Sequence, residues 1–324
     1  MGDLLEQVAG DGLLEPGRRV LVLLSGGRDS VCLLDLAVRI SGDVEALHVD
    51  YGLRAEAAGD AAFCADLCGR LGVELHVRRP RRPEGADPTS SGSTGNLQAW
   101  ARDQRYAEAA RIALDRGGDI AAGHTASDQV ETVLYRLAAS PGRRALLGMA
   151  AREGRLVRPL LGVTREQTAA HCEARGLAWR EDASNDSPAF ARNRLRRELL
   201  PALRSLHPAA EANVLRTLAL LRDEAAVLDA VVDAALAEAG DPPALQALRG
   251  LPPALRRLAV QRLADRTVGG RAPAIGHRTA ELLALAEGGA LDVGGGLRAE
   301  VRGGALRFGA SQGRAAPRPD PARP

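Results

Sequence analysis

A strand-like run, a glycine turn and an amphipathic stretch follow one another between residues 19 and 40. The run RVLVLL at 19–24 is continuously apolar after its arginine, which is typical of a parallel strand covered on both faces. The stretch VCLLDLAVRI at 31–40 carries apolar residues at helical spacing, and a second strand-like run, VEALHVD, follows at 44–50. The order strand, helix, strand predicts a βαβ unit and therefore a parallel sheet.

The same alternation continues through the first two thirds of the chain. It predicts a helix at 61–72, a strand at 73–79, a helix at 96–116, a strand at 119–124 and a helix opening near Ser127. These elements predict an α/β fold with a doubly wound parallel sheet over residues 1–206. Beyond it, Ala- and Leu-rich amphipathic patterns predict a smaller, mostly helical C-terminal domain at 207–310 that ends in short β-strands, and a disordered tail at 311–324.

The basic residues exclude several enzyme classes. All 43 of them are arginine, because the chain contains no lysine. A Walker A loop, a protein kinase and a Schiff-base enzyme each need a lysine, so none of these mechanisms operates here. The N-terminal segment has acidic residues where a signal peptide has basic ones, and no apolar stretch approaches the ~20 residues of a membrane span. We therefore expect a cytoplasmic protein without membrane contact.

The glycine turn between the first strand and helix has the sequence Ser25-Gly26-Gly27-Arg28-Asp29-Ser30. Its amides and hydroxyls face the positive end of the helix dipole, where an anion is stabilised. Glycine permits close approach of the backbone to an oxygen, and Asp29 is suited to hold Mg²⁺ or to orient the loop. A purely structural turn is the alternative, and the residues favour phosphate binding.

SGGRDS after an apolar strand resembles the pyrophosphate-binding loop of the PP-loop (N-type ATP pyrophosphatase) enzymes. Those enzymes cleave ATP between the α and β phosphates and adenylate an oxygen of a second substrate. The resemblance implies ATP as co-substrate and Mg²⁺ as cofactor. It implies nucleotide contacts by residues 25–30.

Three further segments resemble the tRNA(Ile)-lysidine synthases. DYGLR at 50–54 is similar to the family's HGLR, with Tyr51 in place of histidine, and GHTASDQVET at 123–132, followed by Arg136 and LLGM, is similar to its GHxxxDQxET stretch. RPL at 158–160, WREDASN at 179–185 and RNRLR at 192–196 follow in the family's order. The segment at 138–145 departs from the family pattern.

The resemblance implies ligation of free lysine to C2 of the wobble cytidine of a tRNA(Ile) with a CAU anticodon, after adenylation of O2. The implied catalytic residues are Asp29, His124, Asp128, Glu131 and Arg196. Asp50 and Arg54 join residues 25–30 as nucleotide-binding residues, and Asp29 and Asp128 are the expected Mg²⁺ ligands. Asp128 also fits an ordinary helix cap, with Glu131 as its capping partner.

A tRNA-binding surface has to come from local arginine clusters, because the net charge of the chain is only +2. The expected tRNA-binding residues are Arg136, Arg143, Arg144, Arg158, Arg192 and Asn193. Solvated helix faces with arginine in place of lysine are an equally good reading of these clusters.

Two other functions stay open. A tRNA thiolase of the same superfamily shares the adenylation step, but it commonly needs paired reactive cysteines. Cys32, Cys64, Cys68 and Cys172 are scattered and predicted to be buried thiols. A non-catalytic RNA-binding relative is the second alternative, which the complete loop disfavours. The sequence leaves a homodimer open.

Overall fold

The computed structural model describes residues 4–52, 57–81, 94–139, 142–180 and 191–311. The protein divides into two compact units, Met1–Leu218 and Ala219–Pro324. The boundary lies within a long helix that begins at residue 210, whereas the second region was predicted to start at residue 207. Among the described helices, none has the length and apolar character required to cross a membrane.

The first unit contains a six-stranded sheet. Its strands are β1 (Val20–Leu23), β2 (Val44–Val49), β3 (Glu74–Arg78), β4 (Asp119–Ala121), β5 (Arg152–Glu153) and β6 (Leu156–Val157). The order across the sheet is β3-β2-β1-β4-β6-β5. All neighbouring pairs are parallel except β5 with β6. This arrangement confirms the predicted doubly wound parallel sheet.

Helices alternate with these strands. They are α1 (Leu4–Gly10), α2 (Arg28–Ile40), α3 (Ala57–Leu71), α4 (Thr94–Arg116), α5 (Ala126–Ala139), α6 (Arg143–Leu146) and α7 (Arg165–Ala174). Apolar side chains of β1 and of α2 form the buried centre of this unit, because β1 consists of Val and Leu and α2 buries Val, Leu and Ala side chains. Burial of these apolar surfaces is the main source of its stability.

The chain then forms one continuous helical run with an irregular turn. It comprises α8 (Ala191–Arg194), a π-helical segment (Leu195–Leu199) and α9 (Leu200–Leu206). In the π segment the amide of Leu200 donates to the carbonyl oxygen of Leu195, five residues back. Such wide turns are frequent at functional sites.

The remaining helices are α10 (Ala210–Ala239), α11 (Leu245–Gly250), α12 (Pro253–Val268) and α13 (Thr279–Ala284). A 3₁₀ turn at Gly276–Arg278 precedes α13. An antiparallel sheet follows, with strands β7 (Ala290–Gly294), β8 (Leu297–Arg302) and β9 (Ala305–Ala310). The second unit has its own apolar core, formed by these helices and the inward faces of the three strands.

Candidate active site at the carboxyl ends of the parallel strands

The glycine turn at residues 25–30 joins β1 to α2 and is tied together internally. The Ser30 hydroxyl donates to the carbonyl oxygen of Gly27 at 2.7 Å, and the Ser25 amide donates to Ser30 Oγ at 3.2 Å. Gly26 has a φ of +85°, a left-handed conformation that favours glycine. Gly27 precedes α2 and no side chain caps the helix there. The first amides of α2 are thus directed at the space above the loop, as an anion requires.

Asp29 lies in the first turn of α2 and is held from the side. Thr168 Oγ1 donates to its Oδ1 at 2.6 Å, and Arg28 Nε donates to the same oxygen at 3.3 Å. Within the described parts of the chain, the second carboxylate oxygen accepts no hydrogen bond. One oxygen of Asp29 is therefore placed to meet a cation beside the loop, which fits the carboxylate ligands that Mg²⁺ prefers.

The end of β4 approaches the start of α2 closely. A Cβ atom at Gly123 would lie 3.1 Å from the carbonyl oxygen of Asp29, so glycine permits this contact. The next residue, His124, has a buried Nδ1 with no hydrogen-bond partner among the described residues. Burial lowers the pKa of His124 to about 3, against the opposing charge of Asp128. The ring is neutral at physiological pH, so it is better suited to hydrogen bonding than to accepting a proton.

Asp128 serves two purposes in the first turn of α5. Its Oδ2 accepts from the amide of Thr125 at 2.9 Å and from the Thr125 hydroxyl at 3.1 Å, which is half of a capping box. Its Oδ1 accepts from Arg165 and from Arg196, both at 3.2 Å. Burial alone would raise the pKa of Asp128, but Arg165 and the neighbouring charges outweigh it and lower the pKa. Asp128 is thus an ionised carboxylate with both oxygens engaged.

Glu131 lies one turn further along α5 and its side chain is 2% exposed. Its Oε1 accepts a short hydrogen bond from Arg196 Nε, and Arg165 Nη2 lies 3.7 Å away. Burial raises the pKa of Glu131, although Arg196 opposes the shift. The two carboxylates therefore differ in their readiness to take a proton, which is the usual mark of an acid–base pair. Glu131 has no capping role.

The predicted residues Arg136 and Arg158 lie in the interior. Arg136 Nη1 donates to the carbonyl oxygen of Gly148 at 2.7 Å, and Arg158 Nη1 donates to that of Ala150 at 2.7 Å. Their residues are 8% and 2% exposed. Gln129 pairs with both backbone groups of Met149 in the same region. Both arginines hold the backbone after α5 from the interior, and their expected contact with RNA stays a prediction.

The other predicted residues fall into three groups. Asp50, at the end of β2, accepts from the amide of Gly52 and from Arg79, so its carboxylate closes a turn. Arg143 and Arg144 are half-buried on α6, and Asn193 is buried on α8. The side chain of Arg192, all of Arg54 and the segment 181–190 with Asp182, Ser184 and Asn185 lie outside the described residues.

The four cysteines, all within the described residues, are buried and unpaired by disulfides. Burial raises the pKa of Cys64 to about 12 and that of Cys68 to about 11. No group of three cysteines in the described chain comes close enough to share a metal. The thiols of Cys64 and Cys68 are therefore poor nucleophiles, because the thiolate is the reactive form.

Two residues of the site were missed from the sequence, Arg165 and Thr168. In the sequence, Arg165 is one arginine among many and carries no motif of its own. The available signal was the capping box of Thr164 and Gln167, which opens α7 and places both residues on one helical face. Nothing local indicates that this face meets α2 and α5.

Comparisons with known proteins agree with this geometry. The family model of the PP-loop domain matches residues 3–203. A tRNA(Ile)-lysidine synthase of Symbiobacterium thermophilum is 38% identical over 94% of this chain and 68% of its own length. The same enzyme of Thermus thermophilus is 38% identical over 78% of this chain and 50% of its own length. A solved U34-tRNA thiolase of Methanococcus maripaludis, with its [4Fe-4S] cluster, has a TM-score of 0.55 at 16% identity, over 68% of this chain and 77% of that one.

The chain spans about half the length of most of these curated relatives, since it also covers 48% of an Azoarcus synthase that is 40% identical over 66% of this chain. The thiolase structure is similar in fold alone.

Proposed function

This chain belongs to the PP-loop domain family and, within it, to the tRNA(Ile)-lysidine synthases, and we propose that it ligates lysine to the wobble cytidine of a tRNA(Ile) with a CAU anticodon. Cytidine O2 attacks the α-phosphorus of ATP and pyrophosphate leaves. The amine of free lysine then attacks C2, and AMP leaves with O2. One observation carries the proposal: the phosphate loop after β1 and the Asp128–Glu131–Arg196 cluster after β4 lie at the carboxyl ends of two adjacent parallel strands.

The loop at residues 25–30 is the proposed site of the β and γ phosphates. The uncapped amides of α2 and the Ser25 and Ser30 hydroxyls supply donors there. Asp29 would hold Mg²⁺ through its open carboxylate oxygen, and the bound ion neutralises phosphate charge. Asp128 is a weaker metal ligand than expected, because both its oxygens already face donors.

The lysine step needs a base, because an ammonium group has no free electron pair. We assign Glu131 to this proton, since burial raises its pKa, and Asp128 to binding the substrate ammonium as a fixed negative charge. Arg196 contacts both carboxylates and supplies positive charge near the departing AMP. His124, held neutral, donates or accepts a hydrogen bond without changing charge.

The tRNA surface follows from exposure rather than from arginine content. Arg143 and Arg144 follow α5 directly and are retained as proposed phosphate contacts, together with Arg192. The helical region at 207–310 is proposed to bind the body of the tRNA. A wobble base has to leave its stack to reach the strand ends. We propose a cytoplasmic location, because tRNA, ATP and free lysine occur together there.

Incorporation of radiolabelled lysine into unmodified tRNA tests the proposal. With ATP and Mg²⁺, label is expected in a CAU-anticodon tRNA(Ile) and absent from the same tRNA with uridine at the wobble position. Pyrophosphate release that needs tRNA, and that continues beyond one equivalent per tRNA-bound enzyme only when lysine is also present, distinguishes an enzyme from a passive RNA binder. Absence of label from the cognate tRNA would exclude lysidine synthesis.

A further inference from the structure

One face of α7 is directed at the acidic groups of the site. Arg165 and Thr168 are three residues apart and therefore neighbours on that face. The capping box at the start of the helix fixes its first turn: the amide of Gln167 donates to Thr164 Oγ1 at 3.3 Å, and the amide of Thr164 donates to Gln167 Oε1 at 2.9 Å. The direction in which Arg165 leaves the backbone is thereby set.

Arg165 reaches the carboxylate pair of α5. Its Nη2 lies 3.2 Å from Asp128 Oδ1 and 3.7 Å from Glu131 Oε1. Arg196 contacts the same two oxygens from the π-helical segment. Two guanidinium groups from different helices thus balance two carboxylates that are mostly shielded from water. Removal of either arginine leaves the two carboxylates with only one positive charge between them.

Thr168 reaches the acidic group of the phosphate loop. Its hydroxyl donates to Asp29 Oδ1 at 2.6 Å and accepts from Arg28 Nε at 3.1 Å, and the residue is fully buried. The other carboxylate oxygen of Asp29 accepts no hydrogen bond from the residues that the structure describes. A valine of the same shape would keep the packing and remove the constraint on the carboxylate.

The rest of the face attaches α7 to α2 away from the site. His171 Nε2 lies 2.8 Å from Asp35 Oδ2, and Arg175 Nη2 lies 3.3 Å from Asp35 Oδ1. Asp35 is 1% exposed. This second attachment holds the helix in place when one contact at the site is changed, so the effects of Arg165 and Thr168 can be separated from folding.

We propose that α7 is part of the active site, with Arg165 and Thr168 as positioning residues that hold Asp128 and Glu131 on one side and Asp29 on the other. The assignment rests on the proposed lysidine synthesis, because that reaction defines the roles of Asp29, Asp128 and Glu131. Neither residue needs to touch a substrate. The helix links the half of the site that binds nucleotide phosphates to the half that receives lysine.

The phosphate half is tested by calorimetry with Mg²⁺-ATP alone, which requires neither tRNA nor lysine. Thr168→Val is expected to weaken binding about tenfold, because the hydrogen bond to a charged group is lost. Thr168→Ser keeps the hydroxyl and is expected to bind as the parent does. Arg175→Gln, on the same helix but away from the site, is the matched control. Equal affinities of the valine variant and the parent would overturn this half.

The lysine half is tested by steady-state kinetics of lysine incorporation. Arg165→Gln is expected to lower kcat more than tenfold, with the KM for ATP changed less than about threefold, and Arg165→Lys to recover part of the loss. A purely structural role would change the unfolding temperature without this split. Should Arg165→Gln fail to fold, Arg165→Met decides, because it keeps the apolar stem and removes the charge, and parent-like kcat in that variant would overturn the proposal. A parent that binds Mg²⁺-ATP but forms no lysidine refutes the proposed function and leaves the Thr168 result valid.

Discussion

The two ends of the parallel sheet both bury carboxylates between arginines, but only one end offers groups to a ligand. At the amino end, Asp119 pairs with Arg18 and Arg152 at 2.9 Å each, and its side chain is 2% exposed. At the carboxyl end, Asp128 and Glu131 pair with Arg165 and Arg196. A neutralised acid is therefore no sign of function by itself.

The amino end also contains three side chains that are close enough together to bind a metal ion. The ligand atoms of Glu45, Glu74 and His76 lie within 4.8 Å of one another, the one such set in the described residues. Arg116 Nη1 lies 3.3 Å from Glu45 and 3.0 Å from Glu74, so a guanidinium already balances these acids. The carboxyl end differs because uncapped amides of α2 and an unpartnered nitrogen of His124 accompany its charges. Unmet hydrogen-bonding capacity, rather than charge, distinguishes the two ends.

The largest expected effect contrasts one glutamate from each end. Glu131→Gln is expected to lower lysine incorporation about 100-fold or more, because the proposed base is lost. Glu45→Gln is expected to leave activity within about threefold and to reduce the free energy of unfolding by about 1–3 kcal/mol, because Arg116 and His76 lose a buried partner. Kinetics and urea unfolding of both variants measure this. Comparable activity losses in the two would remove the distinction.

A second contrast concerns the pH dependence of stability. Burial lowers the pKa of His124 from 6.5 to about 3. Below pH 6.5, His124 is therefore protonated in the unfolded chain but stays neutral in the folded protein. The free energy of unfolding falls as the pH decreases. Between pH 7 and pH 5 this one group should cost about 1–2 kcal/mol relative to His124→Gln, and nothing above pH 7. Parallel unfolding curves of parent and variant across this range would contradict a neutral His124.

A third contrast separates arginines of the proposed RNA surface from those of the amino end. Arg143→Ala and Arg144→Ala should each reduce the slope of log affinity for tRNA against log salt by about one, because one phosphate contact is lost. Arg152→Ala, which loses only its bond to Asp119, is the control and should leave the slope unchanged. Filter binding at several salt concentrations measures the three slopes. An unchanged slope for Arg143 and Arg144 would place the RNA elsewhere.

The smallest effect is expected for the cysteines near the loop. Cys64 Sγ lies beneath Gly26, where a Cβ would be 3.4 Å away. Exchange of both Cys64 and Cys68 for serine should leave lysine incorporation within about twofold and cost about 1–3 kcal/mol of stability, because two hydroxyls enter an apolar site. Loss of lysine incorporation in a variant that still folds would contradict a purely structural role of these two thiols.

Much of the fold could be predicted from the sequence, because apolar residues recur at different spacings in strands and in helices. The run at 19–24 became β1 and the stretch at 31–40 became the body of α2, since continuous apolar residues suit a doubly covered sheet. The position of β4 beside β1 could not be read, because strand order depends on crossover connections rather than on local pattern. That neighbourhood is what brings His124 to Asp29.

The site was predicted best where residue type and position agree, and least well where arginine was the only clue. Asp128, Glu131 and Arg196 do converge in the structure. Arg136 and Arg158 do not reach the surface, because a chain without lysine uses arginine for interior backbone contacts as well as for solvated faces. Arg165 and Thr168 act across tertiary contacts, which no local pattern records.

The wide turn that carries Arg196 has a consequence for the history of this helix. An α-helix turns by roughly 100° per residue, so one residue more in a single turn displaces everything on one side of it to a different face. Removal of one residue from 195–199 would restore regular winding and swing the guanidinium away from Glu131 while Leu200 stayed packed. On this geometry, the gain of one residue in this turn would be sufficient to bring Arg196 from another face of a regular helix to the carboxylate of Glu131.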